Sequence, residues 1–169
     1  MQAAGAELSK LDAVILAVSF RPVEFNQDLC TKEGLGFHVL SDPDRAVIKR
    51  YNVWEERENT ARRATYWIDR EGVIRRVWRK VNPTTMGADL IAFTGAWKLG
   101  QTLYQTQCAR CHGDDGNDTS YAHIKTLGGI GNRLSEDQIL AATRATGIVD
   151  LSQFSADDIR ALMTYVAGL

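Results

Sequence analysis

No stretch of this sequence is apolar over anything near the roughly 20 residues that a membrane span needs, and its most hydrophobic segment, Ala13 to Phe20, is strand-sized. Neither sign of charge predominates. Twenty Lys and Arg against 21 Asp and Glu leave a formal net charge of −1, so the basic footprint of nucleic-acid binding is missing. Internal repeats and low-complexity tracts are absent, which excludes solenoids and disordered linkers. Cysteine, histidine and methionine are scarce, at three residues each, so each candidate metal ligand can be weighed singly. The composition, 44% hydrophobic and 24% charged, is that of an ordinary globular protein, and 169 residues suffice for one domain or two small ones.

The pattern changes near Asn82-Pro83-Thr84-Thr85. Before it, strand and helix alternate. Ala13-Val14-Ile15-Leu16-Ala17-Val18 suits a strand covered on both faces. Pro22 to Glu33 reads as a helix ended by Gly34, and Phe37 to Leu40 as a short strand. Ser41-Asp42-Pro43-Asp44 opens a helix running through Ala46, Val47 and Tyr51, with Ser41 or Asp42 as its cap. Thr65 to Asp69, the turn Arg70-Glu71-Gly72, and Val73 to Trp78 make a hairpin. After the change the chain reads as helices over Ala92 to Cys108, Ser135 to Thr143 and Ser155 to Leu169, with Ser135 and Ser155 as caps. The fold expected is an α/β domain over residues 1–90 followed by an all-α domain over 91–169.

The chemistry concentrates in Cys108-Ala109-Arg110-Cys111-His112. This is C-x-x-C-H, the attachment signature of a c-type haem. Two thiols three residues apart on one turn reach the two vinyl groups of a porphyrin, and the adjacent imidazole faces the iron from one side. A zinc site would want two further Cys or His ligands, and only His38 and His123 remain. One covalent haem c is expected, with His112 as proximal ligand.

The residues around the motif resemble a class I cytochrome c over about the last 75 positions. Gly100 and Tyr104 match the first helix of that family, where a glycine permits close crossing by the last helix, and Tyr165 matches the aromatic of the last helix. Gly113-Asp114-Asp115-Gly116 follows the motif as in many bacterial members. The segment Leu127-Gly128-Gly129-Ile130-Gly131-Asn132-Arg133 resembles the one whose arginine reaches a haem propionate, a role the resemblance gives to Arg133. Two departures stand out. Lys125 occupies the place of a proline whose carbonyl accepts from the proximal histidine; its own backbone carbonyl can serve. The loop Thr146 to Phe154, where the family places a methionine near Val149, holds neither methionine nor histidine. The sixth ligand is therefore left between Met163 in the last helix, His123, and an open site lined by Ile148, Val149 and Leu151, with Met163 or an empty site preferred. Met86 and His38 belong to the other region.

Residues 1–90 resemble the later half of a peroxiredoxin (the alkyl hydroperoxide reductase and thiol-specific antioxidant family, with a thioredoxin-like fold). The resemblance rests on Ala13 to Ser19, Leu40-Ser41-Asp42-Pro43-Asp44, Tyr51-Asn52-Val53-Trp54, and Arg63 to Asp69 with Gly72-Val73-Ile74. Arg63 matches the arginine that stabilises the reactive thiolate in that family. The catalytic P-x-x-x-T-x-x-C segment is missing, and Cys30, on a helix after the first strand, reads as packing. The resemblance also implies a missing central strand between the Val14–Val18 and Tyr66–Ile68 strands. The gap is expected to be closed by direct pairing of the remaining strands, by exchange in a homodimer, or by a second chain.

An electron-transfer cytochrome whose peroxiredoxin-like part is a scaffold or docking module is the function favoured, with a redox protein as partner. The alternatives are a peroxide-reducing or ligand-binding haem protein with an open distal site, and a subunit of a split peroxidase. The run Arg62, Arg63, Arg70, Arg75, Arg76, Arg79 and Lys80 is read as a solvated face, with docking to an acidic partner as the sharper alternative. Met1 to Gly5 shows no signal-peptide pattern. Since c-type haem is attached outside the cytoplasm, a periplasmic or otherwise exported location is expected, with this sequence starting inside a longer gene.

Overall fold

The computed structural model describes residues 2–118, 120 and 125–169. The chain forms two compact units, residues 1–91 and 92–169. No helix among the described residues is long and apolar enough to cross a membrane.

The first unit opens with α1 (Gln2–Lys10), followed by β1 (Leu16–Ser19), α2 (Val23–Glu33), β2 (His38–Ser41) and α3 (Ala46–Arg50). β1 and β2 are parallel, with Leu16 opposite His38 and Val18 opposite Leu40. The α2 helix crosses over between them and ends at Gly34, whose φ of 58° is the left-handed turn that glycine takes without strain. Its buried Asn26 donates to Ser41 Oγ at 2.8 Å and to the Arg21 carbonyl at 3.2 Å, which clamps α2 onto one face of the ribbon.

The cap expected for the next helix is placed differently. Arg45, in the left-handed region at φ 62°, precedes α3 and its own side chain makes no capping bond. Asp42 supplies the cap from further back, its Oδ2 accepting from the Ile48 amide in the first turn of α3 at 2.9 Å, while its carbonyl accepts from the Arg45 amide. The guanidinium of Arg45 then lies 4.4 Å above the Trp54 ring, and Phe20 meets the same ring edge-on at 5.5 Å. This cluster holds a short ribbon, β3 (Trp54–Glu55) with β4 (Thr60–Ala61), that the sequence pattern did not reveal. The expected hairpin forms from β5 (Thr65–Ile68) and β6 (Ile74–Trp78). Its turn is tied by Asp69, which accepts from the Val73 amide at 2.7 Å and from Arg75 Nε at 2.6 Å.

The remaining strands do not close the sheet by pairing with one another, contrary to one of the three closures expected. Three separate two-stranded ribbons form, and no ladder joins β1 to β5 among the described residues. The apolar centre of this unit lies elsewhere. Ala4 and Leu8 of α1 meet Met86 and Leu90, with Ile15, Trp67 and Trp78 packed around them.

Met86 also corrects a boundary. Helix α4 spans Met86–Gln107, starting six residues before the expected Ala92. Asn82 accepts from the Thr84 amide, and the Met86 and Asp89 amides reach the carbonyls of Asn82 and Thr85, so the Asn-Pro-Thr-Thr segment lies between β6 and α4 and leads directly into the helix.

The second unit continues α4 from Ala92 and adds α5 (Ala109–His112), α6 (Glu136–Thr146) and α7 (Ala156–Gly168), with single 3₁₀ turns at Ile130–Asn132 and Leu151–Gln153. Both expected serine caps are present as full capping boxes, Ser135 with Gln138 and Ser155 with Asp158. α7 crosses α4 at Gly100. A methyl group there would sit 2.7 Å from Tyr165 Cβ and against the Ala161 carbonyl, so only glycine allows the approach. Around the crossing Tyr165 stacks at 4.9 Å from Trp97 and 5.4 Å from Tyr104, giving an aromatic core. Gly100→Ala is therefore expected to cost about 1–3 kcal/mol through overpacking. Thermal unfolding of the second unit, followed by circular dichroism, should shift down by several degrees.

Candidate functional site

The C-x-x-C-H residues lie where α4 ends. The Cys108 amide donates to the Tyr104 carbonyl at 2.8 Å, and the amides of Cys111 and His112 both reach the Cys108 carbonyl at 3.0 Å. Both thiols and the imidazole thus sit on one tight turn, each half-buried. Tyr104, fully buried, donates its hydroxyl to the Gly113 carbonyl at 2.7 Å, tying the turn back to the helix before it. Burial, with a smaller contribution from the neighbouring Cys108, raises the Tyr104 phenol well above its ordinary range, so the hydroxyl remains a donor at any physiological pH. Burial also pushes the Cys108 thiol up to about 11, assisted by the charge of Cys111. The Cys108 thiol is thus not presented as a reactive thiolate.

The loop after the motif brings a carbonyl to the imidazole. Gly113 and Gly116 take φ of 73° and 77°, which lets the chain reverse twice within four residues. The Asp118 amide returns to the His112 carbonyl at 2.9 Å, and the Leu127 amide donates to the Gly116 carbonyl at 2.7 Å. These bonds carry Lys125 past the ring, where its backbone oxygen lies 3.2 Å from His112 Nδ1. A carbonyl only accepts, so Nδ1 carries the proton and Nε2 keeps its lone pair for a metal. The residues present therefore fit a haem c: two thiols spaced for thioether formation, and an imidazole held in the ligating tautomer.

Other expected site residues are less committed. Arg133 follows the Ile130–Asn132 turn and is solvent-exposed. Ile148 is 65% exposed, whereas Val149 and Leu151 are half-buried. Met163 is 3% exposed. Ala161 and Tyr165 face α4, so by helical spacing Met163 shares another side of α7 with Leu162 and Val166. His123 lies outside the described residues. Met86, 2% exposed, belongs to the apolar centre of the first unit, and His38 is exposed on β2. Asn117 escaped the sequence reading. Its side chain lies where a Cβ on Gly128 would fall, so it wedges the two loop segments together, and only the flanking glycines hint at it.

In the first unit, Asn52, Val53, Arg62, Arg63, Ala64 and Arg79 line a cavity of about 300 Å3. Arg62 pairs with Glu55 at 3.5 Å, while no carboxylate pairs with Arg63 or Arg79 among the described residues. The cavity is electropositive and suits an anion. Cys30 is half-buried on α2, its carbonyl taken up by the Gly34 and Leu35 amides at the helix end.

Comparison with known proteins divides the chain along the same lines. Residues 1–77 match the AhpC/TSA family model, and residues 95–166 match the model described as cytochrome C oxidase, cbb3-type, subunit III. The chain joins a peroxiredoxin-like region to a cytochrome c-type region. The second of these implies haem c. The putative peroxiredoxin bcp of Coxiella burnetii is 37% identical over 82 residues, covering 45% of this chain and 54% of that protein. Peroxiredoxin Bcp of Xanthomonas campestris is 32% identical over 81 residues, covering 44% and 51%. The chain thus spans about half the length of the curated relatives it matches. The solved structure of Xanthomonas campestris peroxiredoxin Q superposes with a TM-score of 0.53 at 29% identity, covering 56% of this chain and 64% of that one. The first part accordingly has a thioredoxin-like peroxiredoxin fold, and a helical region follows it.

Tyr104→Phe isolates the tie between the haem turn and its helix. Loss of one buried hydrogen bond should lower stability by about 1 kcal/mol and leave the Gly113 carbonyl without its partner. Denaturant titration of the holoprotein, followed in the Soret region, measures it.

Proposed function

We propose that this protein is a haem c electron-transfer protein whose peroxiredoxin-like region serves as scaffold or docking module for a redox partner. The observation that carries the reading is the imidazole of His112, held 3.2 Å from the Lys125 carbonyl, on the same turn as two thiols. Bound haem c supplies one-electron chemistry at its iron. The chain's own contribution is positional. Cys108 and Cys111 tether, His112 offers Nε2, and the Lys125 carbonyl holds the ring against rotation and makes it a stronger donor. Arg133 is assigned to a propionate, and Ile148 and Val149 to the apolar rim. The sixth ligand assigned is Met163, the one methionine after residue 91. A thioether raises the potential, and a ligand pair fixed on both sides keeps rearrangement on electron transfer small. Because c-type haem is attached outside the cytoplasm, the working location proposed is the periplasm or another exported compartment.

A second reading has a specific observation behind it. The cavity lined by Arg62, Arg63 and Arg79 is suited to stabilise an anion such as a thiolate, which this chain does not itself place there. In that reading a bound haem c would supply electrons to the oxidised form of a thiol site on another chain, and the protein is one subunit of a split peroxidase.

The visible spectrum of the reduced holoprotein, with and without carbon monoxide, tests the carrier reading. A low-spin, six-coordinate spectrum that carbon monoxide leaves unchanged is expected, and Met163→Leu should convert it to a carbon monoxide-reactive form. A high-spin reduced spectrum in the wild-type protein, with rapid carbon monoxide binding, contradicts both the carrier function and the Met163 assignment.

A further inference from the structure

The Lys125 carbonyl reaches His112 through a closed frame that starts and ends on the same histidine. The Asp118 amide donates to the His112 carbonyl at 2.9 Å, which anchors one arm of the loop to the motif. The other arm is pinned by the Leu127 amide on the Gly116 carbonyl at 2.7 Å, two residues beyond Lys125. Between the arms the side chain of Asn117 packs against Gly128. A Cβ on Gly128 would fall almost on Asn117 Oδ1, with Cγ and Nδ2 at 3.1 and 3.2 Å. Gly128 has no positive φ, so the Asn117 amide, and not the backbone conformation, is what requires a glycine there. Asn117 is itself oriented: its backbone amide donates to Asp115 Oδ1 at 3.0 Å, and its Nδ2 donates to the Asp115 carbonyl at 3.3 Å. The Leu127–Gly116 bond already closes the loop. The side-chain amide seated on Gly128 adds a fixed spacing between the arms.

We propose that Asn117, seated on Gly128, is a positioning residue that sets the reduction potential of a haem bound at this site. It acts through Lys125. The amide holds the 125–128 arm at the spacing that leaves the Lys125 carbonyl 3.2 Å from His112 Nδ1. That distance is at the long end of the hydrogen-bonding range, where a small retreat of the carbonyl loses the bond. The bond makes the imidazole a stronger donor, and a stronger donor favours the ferric state and lowers the potential. Withdrawing the carbonyl therefore raises it. The inference rests on the haem c reading and adds to it a residue outside the C-x-x-C-H motif.

The test is potentiometric titration of the haem-loaded protein, with hydrogen exchange of the His112 Nδ1 proton followed by NMR in the same samples. Asn117→Ala opens a gap over Gly128, and because Asn117 is exposed the fold survives it. The variant should shift the ferrous-to-ferric equilibrium upward about threefold, or roughly 28 mV for a one-electron couple. Exchange of the ring proton should quicken about tenfold, as expected for the loss of one hydrogen bond. Gly128→Ala puts a methyl group where the amide lies, spreads the arms and should act in the same direction. In the double variant the methyl takes the vacated space, so potential and exchange should both return to the wild-type values. If Gly128→Ala alone fails to fold, recovery of the double variant still decides the matter. Unchanged potential and exchange in Asn117→Ala overturn the proposal, as does a double variant displaced by the sum of the single shifts. Either result leaves the haem reading standing, because the pyridine haemochrome of the wild-type protein reports haem separately. A wild-type protein that carries no haem c removes both.

Discussion

The site in the second unit depends on one hydrogen bond, between His112 Nδ1 and the Lys125 carbonyl. Without it the imidazole is free to rotate or to change tautomer, and the nitrogen meant for a metal loses its definition. Everything near it can be read as the means of bringing a backbone oxygen to that spot. Gly113 and Gly116 reverse the chain, the Gly116 carbonyl receives the Leu127 amide, and Asn117 fills the space beside Gly128. From below, the turn is fixed to α4 by the Tyr104 hydroxyl, and α4 is fixed to α7 by the close crossing at Gly100.

The two units stand in contrast. The cytochrome c-type unit has a closed aromatic core, paired helix caps and a turn whose donors are matched. In the peroxiredoxin-like unit the strands pair two by two, leaving apolar side chains of β1 and β2 in contact with water. An arginine-lined cavity near Arg63 accompanies that open sheet, with no cysteine among its lining residues.

Much of this was legible from residue patterns, and what was not has identifiable causes. Ser135 and Ser155 announced their helices because a capping serine followed by an acidic first turn is a local signal. The same holds for Gly34 after α2, and for Lys125, whose role requires only a backbone carbonyl. The fold eluded the pattern where tertiary contacts override it. The β3–β4 ribbon is two residues wide and is held by Trp54 under Arg45 and beside Phe20, partners too distant in sequence to suggest a strand. Asp42 does accept from the Ile48 amide in the first turn of α3, but it sits ahead of Arg45, the residue that directly precedes the helix. Helix α4 begins early because Asn82-Pro83-Thr84-Thr85, read as a break, is also a good helix start. The sixth ligand had no signal to follow, since the loop from Thr146 to Phe154 contains neither methionine nor histidine.

The most direct test is the mass of the polypeptide after denaturation and acid extraction of any loosely held porphyrin, followed by peptide mapping. The account requires one haem to remain bound, on a single peptide containing Cys108, Cys111 and His112, and to be lost from a Cys108→Ser, Cys111→Ser double variant. A polypeptide of unmodified mass, isolated from a host that matures c-type cytochromes, would contradict it.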